Sequence, residues 1–514
     1  MKKLLTFLLA LMMVLSMCSF ASAEEPITIK IAHWDVESSL VENDAMRTYV
    51  EEKFGIRLEA MNTTWDDYVQ KIQAWAAADS LPDIFSIDAI CTPNYYAWIE
   101  DEVVHALPAD LSAYPNLEAY LDVADIQALK IDGQLYCIPR KTYPSDYWMV
   151  CDRTIAYRWD LAQEAGITKE PETFDEFREM IQAIIKADPE GKQIQGLTSL
   201  QAKQLDGFLF TYSMPAAMSD GSGSDYKWVK GEDGIYRPRY FTTDMLSTFQ
   251  LARDMYVEGT IEKDYALTTS STATEKFLTG QSAAILGGGG VAAWYGRLGK
   301  NWAEANDGAD FTEDVRILKI LEGKDGQKTF PMFRTAWSES YISSHVDDAK
   351  LEKILQLYDF LVSSEGQMLI NWGFENVDYE MKDGKTVSLL DGVSLSSKYP
   401  CAGFLNNLAS WGQSNTNRDY PTDAPTEWYR DNDFSLHEQA EATGEMPSFD
   451  MRITYMSTPL KDSFVINQAD DLIKVMMGTE PVEDMVNELI KEYEDKGLQA
   501  MIDEVNAKAA ELGY

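Results

Sequence analysis

The chain has 514 residues, with 84 acidic against 44 basic side chains and only four histidines, for a formal net charge of −40. Its 45% apolar and 11% aromatic content supports a packed core and excludes global disorder. The charge excludes a general nucleic-acid binder, which needs Lys and Arg to displace counterions, and argues against adsorption to anionic lipid.

At the start of the chain, Lys2 and Lys3 precede an apolar run from Leu4 to Leu15, and Ala21-Ser22-Ala23 supplies small residues for cleavage. This pattern predicts a secretory signal over residues 1–23, with a core too short to span a membrane. Leu15-Ser16-Met17-Cys18 resembles a lipobox that would place a lipid on Cys18. Met17 is larger than the residue such sites favour, so cleavage before Glu24 is the expectation. That cut discards two lysines and takes the charge from −40 to −42. No later apolar stretch reaches the roughly 18 residues of a spanning helix. The product is expected to be extracytoplasmic: secreted, periplasmic or at the cell surface, and free of the membrane unless lipid or a partner holds it there.

Ile27-Thr28-Ile29-Lys30-Ile31 alternates as a half-buried strand does. An amphipathic segment follows to Phe54, then a strand near Ile56-Arg57-Leu58, helical spacing to Ala78, and a third strand over Pro82–Ile87. Alternation of this kind predicts α/β units with a mostly parallel sheet. Thr173-Phe174-Asp175-Glu176 is a capping box, and Phe174, Phe177, Ile181, Ile184 and Ile185 line one face behind it. Leu351, Ile354, Leu355, Tyr358 and Leu361 repeat the pattern, as do Val482, Met485, Val486, Leu489, Ile490 and Tyr493. Residues 219–225 and 231–234 read as loops. No low-complexity linker separates domains, which predicts lobes joined by several crossings rather than by one tether.

Catalytic motifs are scarce. The histidines at 33, 105, 345 and 437 have no metal-binding spacing, and His437-Glu438 is followed by Glu441 where a zinc protease needs His. No GxSxG elbow occurs. Among 84 acids some pair always suits glycoside hydrolysis, so carboxylates alone carry little. Gly287-Gly288-Gly289-Gly290 follows an apolar stretch, but lacks the acid that completes a dinucleotide site; it reads as a tight turn beneath a close approach. Cys91, Cys137, Cys151 and Cys401 form no CxxC or Cys/His cluster. They read as small buried hydrophobes, with a Cys137–Cys151 bridge as the alternative.

Five segments together resemble an extracellular solute-binding protein of an ABC transporter, family 1, of the carbohydrate-binding kind with LipO-like large members. They are Ala77-Ala78-Asp79-Ser80-Leu81-Pro82-Asp83-Ile84, Asp132–Pro139, Tyr157–Gly166 continuing through Pro171–Phe177, Phe277–Ala284, and Ser364–Tyr379. The resemblance implies the type II periplasmic-binding-protein fold, two α/β lobes with a multi-strand hinge around a central cleft. It assigns residues 24–143 with roughly 285–333 to an N-lobe and 144–284 with roughly 334–514 to a C-lobe. Crossings are expected near 139–147, 280–287 and 331–340. Partners are then an oligosaccharide or sugar and the permease subunits of an importer, with no cofactor. Asp188-Pro189-Glu190-Gly191-Lys192 stands where large relatives carry a calcium loop, but lacks the alternating oxygens; no metal is expected.

A sugar cleft needs aromatic plates and fixed polar groups. Trp34-Asp35 and Asp88 follow predicted strands, where ligands of open α/β sheets sit. Trp294 follows the glycine turn, Arg140 and Tyr147 flank the first crossing, and Trp337 with Glu339 occupies the third. Trp411 completes the candidate set; Trp65 and Trp148 are weaker, and Trp75, Trp98, Trp159 and Trp372 read as packing. Asp35 and Asp88 have a second reading as helix caps. The competing functions are a secreted glycoside hydrolase, a peptide or polyamine receptor, and a sensor subunit of the same fold.

Overall fold

β1 (Ile27–Ala32) buries Ile29 and Ile31 while Lys30 faces water, the period-two pattern written in its sequence. It pairs in parallel with β2 (Ile56–Ala60) and β3 (Ile84–Ile87), Ile29 opposite Leu58 and Ile31 opposite Ile84. Two later strands complete this first sheet, β4 (Ile138–Lys141) and β11 (Ala336–Ile342), in the order β2-β1-β3-β11-β4. β11 is antiparallel to both neighbours. The structure, a computed structural model, describes residues 25–514 apart from 35, 91, 142–145, 190, 214–226, 243, 332–335, 383–384, 392, 410–423 and 444–449. The predicted signal, Cys18, Asp35, Cys91, the 219–225 loop and Trp411 therefore lie outside the described residues.

A second sheet has the order β10-β5-β9-β6, from β5 (Arg153–Arg158), β6 (Gln195–Ser199), β9 (Ser282–Gly288) and β10 (Val315–Ile317). Two small hairpins lie apart, β7 (Trp228–Lys230) with β8 (Tyr236–Pro238), and β12 (Tyr379–Lys382) with β13 (Lys385–Ser388). The predicted 231–234 loop turns the first of these.

Each sheet has its own hydrophobic core. The first gathers Ile29, Phe85, Ile138, Tyr341, Tyr358 and Leu405; the second gathers Ile155, Phe177, Ile285, Trp302, Leu436 and Val505. Each such side chain, fully buried, contributes about 1.5–3 kcal/mol. The capping box forms as predicted: Thr173 Oγ1 accepts from Glu176 N at 3.1 Å. The returning bond lands one residue early, on Glu172 N at 2.7 Å. Asp44 caps the helix Ala45–Phe54 through Oδ1, and its Oδ2 accepts from Cys401 N at 2.9 Å, tying that helix to Pro400–Ala409.

The two lobes are present, but their boundaries differ from the expected ones. β9 and β10 belong to the second sheet, so residues 285–331 leave the N-lobe, whereas residues 336–408 return to it. The expected crossing at 280–287 is instead an internal strand of the second sheet, with Ile155 opposite Leu286 and Thr198 opposite Ile285. An apolar run ending in glycines shows a buried strand, not the sheet it joins. The chain passes between lobes after Lys141, after Pro331 and after the helix Pro400–Ala409; the helix Ala424–Ala442 lies in the second core through Leu436 and Ala440. Cys137 sits in the first core and Cys151 in the second, and both are free, as is Cys401.

Candidate functional site

β1, β2, β3 and β4 end, and β11 begins, at one edge of the first sheet. Four aromatic residues converge there. Thr63 Oγ1 donates to His33 O at 2.8 Å and Thr63 bridges Trp34, which draws the segment after β2 alongside the end of β1. Trp34 then meets Trp65 at 5.4 Å and 87°, Tyr68 at 5.4 Å and 62°, and Trp337 at 5.8 Å between ring centroids. Trp65 also lies 5.9 Å from Trp337 and 5.6 Å from Tyr68. Trp65 is 51% exposed, against 8% for Trp34. Trp65 is thus the open plate, Trp337 is half-buried, and Trp34 with Tyr68 buttresses both.

Beneath Trp34 lies Arg140, wholly buried, its guanidinium 4.5 Å from the ring centroid. It donates to His33 Nδ1 at 3.2 Å, to Asn407 O at 3.1 Å and to Ser338 Oγ. Burial pushes its pKa down to about 10, although the negative charges of Glu339 and Asp88 favour the cation. Burial, and then the Arg140 charge, holds His33 well below the usual histidine range, so it stays neutral and accepts at Nδ1. Glu339 is also wholly buried, and its Oε1 accepts from Ala89 N at 2.6 Å, Ile90 N at 2.9 Å and the Tyr341 hydroxyl at 2.6 Å. Its role is to brace the turn after β3, which carries Asp88. Asp88 does not cap the helix Pro93–Glu100, whose N-cap is Thr92. It is half-buried, and its charge, after burial, raises the Tyr68 phenol.

The second lobe answers with a different edge, where β5 begins and β6 and β9 end. Asp152 and Arg153 pair at 3.0 Å, and Arg297 donates to Gly288 O at 3.2 Å. Gly290 N donates to Asp152 O at 3.3 Å, closing the glycine turn onto the entry to β5. Tyr147, half-buried, packs 6.3 Å from Phe330.

Trp294, a predicted ligand residue, does not join this site. It is 1% exposed, inside the second core, and its indole N–H donates to Thr154 Oγ1 at 2.8 Å. The glycine run exists to admit it: a Cβ on Gly287 would lie 2.8 Å from Trp294 and 2.5 Å from Leu200. Trp148 likewise stacks on His437 at 4.0 Å within the second lobe. Trp34, Asp88, Arg140, Trp337 and Glu339 do cluster, with Arg140 and Glu339 as supports. His33, Tyr68 and Ser338 complete the group without having been singled out as ligand residues; His33 and Ser338 adjoin the predicted Trp34 and Trp337, and Tyr68 lies three residues after Trp65. In the doubtful calcium segment, both Asp188 oxygens accept from backbone, Lys192 N at 2.8 Å and Gln193 N at 2.9 Å. No described helix is long and apolar enough to cross a membrane.

Two α/β lobes, each with its own sheet and core and with the chain passing between them three times, make a periplasmic-binding-protein fold. The chain belongs to the family of bacterial extracellular solute-binding proteins, which matches residues 45–374. It is similar to lipoprotein LipO of Bacillus subtilis (strain 168), with 27% identity over 54% of each chain. It is also similar to the polygalacturonan/rhamnogalacturonan-binding protein YtcQ of that strain, with 23% identity over 63% of this chain and 62% of the relative. These matches span between about half and three-fifths of the length of the curated relatives. Among solved structures, the Streptococcus pneumoniae substrate-binding protein FusA in complex with kestose matches with a TM-score of 0.67 at 15% identity, covering 95% and 99% of the two chains. The alginate-binding protein AlgQ2 matches at 0.65 and 16%, covering 94% and 97%.

Proposed function

We propose that the protein is the extracytoplasmic substrate-binding component of an ABC importer, which captures an oligosaccharide or modified sugar by lobe closure and delivers it to the permease. The observation that carries this reading is the Trp34–Trp65–Tyr68–Trp337 group at the strand-end edge of the first sheet, with Trp65 open to solvent. Flat aromatic rings complement the C–H faces of a sugar, and amides and guanidinium groups complement its hydroxyl rim. Closure follows binding because contacts to both lobes exist together only in the closed state. The YtcQ name adds a polyuronide as the first acidic ligand to try. Isothermal titration against neutral and acidic oligosaccharides tests the reading; silence across the panel together with peptide or polyamine binding overturns it.

The proposed role contains no catalytic step, so glycan incubated with the protein is expected to yield no new reducing ends. At the N-terminus the proposal is cleavage before Glu24, leaving no lipid on Cys18. Mass spectrometry of the mature chain separates the two forms.

A further inference from the structure

Arg140 reaches four separate pieces of chain from one buried position, and each piece borders a passage or the aromatic platform. Its own strand, β4, ends at Lys141, where the first passage leaves. Ser338 stands in β11, just after the second passage arrives. Asn407, whose carbonyl takes a bond from Nη1, lies in the last turn of Pro400–Ala409, where the third passage leaves. His33, bonded to the same nitrogen, immediately precedes Trp34. Ser338 extends the network further, because its Oγ donates to Trp337 O at 2.7 Å. Its φ of +54° is in the left-handed region, a conformation that a serine leaves readily once its contacts change.

We propose that Arg140 is a coupling residue: one guanidinium ties the first-lobe ends of all three interlobe passages to the Trp34–Trp337 platform, so that loading the platform and moving the lobes become one event. A planar fork with five donors can serve three acceptors while lying under an indole; a lysine ammonium cannot match that geometry. A ligand that shifts Trp34 must shift the group stacked beneath it, and with it the anchors at Ser338 and Asn407. The opposite path, from hinge to platform, follows from the reciprocity of coupling. The hinge half of this inference stands on geometry alone; the ligand half rests on the proposed binding function.

Hydrogen–deuterium exchange on the unliganded mature chain tests the hinge half. Arg140→Lys is expected to speed exchange by roughly tenfold or more at residues 31–34, 336–342 and 403–408 together, with β6 and β9 unchanged. Arg158→Lys is the control, since Arg158 is also buried over a tryptophan, Trp302 at 4.7 Å, but in the second lobe. It should leave those three segments alone. Should Arg140→Lys loosen the whole first lobe, Ser338→Ala decides: coupling carries its effect to residues 403–408, with which Ser338 shares no hydrogen bond. A change confined to the substituted residue's own strand, or no change, overturns the proposal. For the ligand half, titration uses kestose and an oligogalacturonide mixture, and any probe that binds the wild type should bind Arg140→Lys roughly tenfold more weakly. Unchanged affinity overturns that half; binding of neither probe by the wild type counts against these ligands, and exchange alone then decides the coupling.

Discussion

Trp34 and Trp294 occupy equivalent places in the two lobes, each shortly after the end of a strand at the cleft edge, yet they have opposite fates. Under Trp34 the space is filled by Arg140, so the ring stays at the edge and supports Trp65 and Trp337. Under Trp294 the space is left open by Gly287, so the ring sinks inward and finds Thr154. What lies beneath a strand-end aromatic, more than the aromatic itself, decides whether it stays at the rim of its core, as Trp34 does, or sinks fully into it, as Trp294 does. The first lobe thereby has an aromatic edge on a charged support, and the second has a polar edge over an apolar core.

Trp294→Ala should cost about 3–5 kcal/mol of stability, as large core truncations do, while the folded fraction binds ligand with unchanged affinity. Trp34→Ala should lose stability as well, and should also lose binding by roughly thirtyfold or more, the size of a hot-spot truncation. Denaturant melts paired with titration calorimetry distinguish the two. Equal affinity losses would erase the distinction between the lobes.

The buried charges extend the contrast to pH. Burial raises Asp206 and Asp433 in the second lobe to about 7 each, and Asp471 to about 6. From about pH 4 up to about 7, or about 6 for Asp471, the unfolded chain has released these protons and the folded lobe still holds them, so second-lobe stability falls as pH rises. Each group contributes about 1.4 kcal/mol per pH unit across its window. His33 acts oppositely in the first lobe: its pKa is depressed, so below pH 6.5 the unfolded chain binds a proton that the folded lobe refuses, and stability falls in acid. Calorimetric scans from about pH 4 to 7 should show the second lobe weakening as pH rises and the first weakening as pH falls. Asp433→Asn should remove about one proton's share of the second lobe's slope over that window, and an unaltered slope refutes the assignment.

Much of the fold was legible, and its failures have one physical origin. β1, β2, β3 and the capping-box helix follow from local periodicity and side-chain hydrogen bonding, which act within a few residues. The lobe to which residues 285–331 belong does not, because β9 reads as a buried strand in either sheet and only its pairing with β5 and β6 decides. At the site the same limit applies. Trp34 was visible just past a strand and Trp337 in an expected crossing, whereas Trp294, just past the glycine turn, looked no different until Gly287 was placed beside it. Glu339 resembled a ligand acceptor, but the backbone amides of Ala89 and Ile90, about 250 residues away in sequence, had already claimed its carboxylate. Arg140 and Tyr147 were read as flanking a crossing, whereas the burial of Arg140 depends on partners from three distant segments.

Exposure sharpens the comparison within the platform. Trp65 stands open while Trp34 is buttressed, so Trp65→Ala should leave the melting curve within about 0.5 kcal/mol of the wild type, as exposed substitutions do. Its binding should weaken by roughly tenfold through loss of the outer stacking face. Thermal melting beside titration with a bound oligosaccharide checks both; a stability loss near that of Trp34→Ala would place Trp65 in the core instead.

The smallest effect concerns a contact from lobe to lobe. The Tyr96 hydroxyl donates to Tyr455 O, and Tyr455 with Met451 packs against the first core although the preceding Asp450 accepts from Tyr236 in the second lobe. Tyr96→Phe removes one neutral hydrogen bond, worth about 1 kcal/mol, and leaves a backbone carbonyl that water can satisfy once the lobes part. The unliganded equilibrium between open and closed arrangements should therefore shift by about fivefold toward the open one. Paired spin labels on the two lobes would read that shift as a longer mean separation, and ligand affinity should fall by the same factor, since closure and binding share one cycle. A separation that changes without affinity, or affinity without separation, would show that this contact serves lobe packing rather than closure.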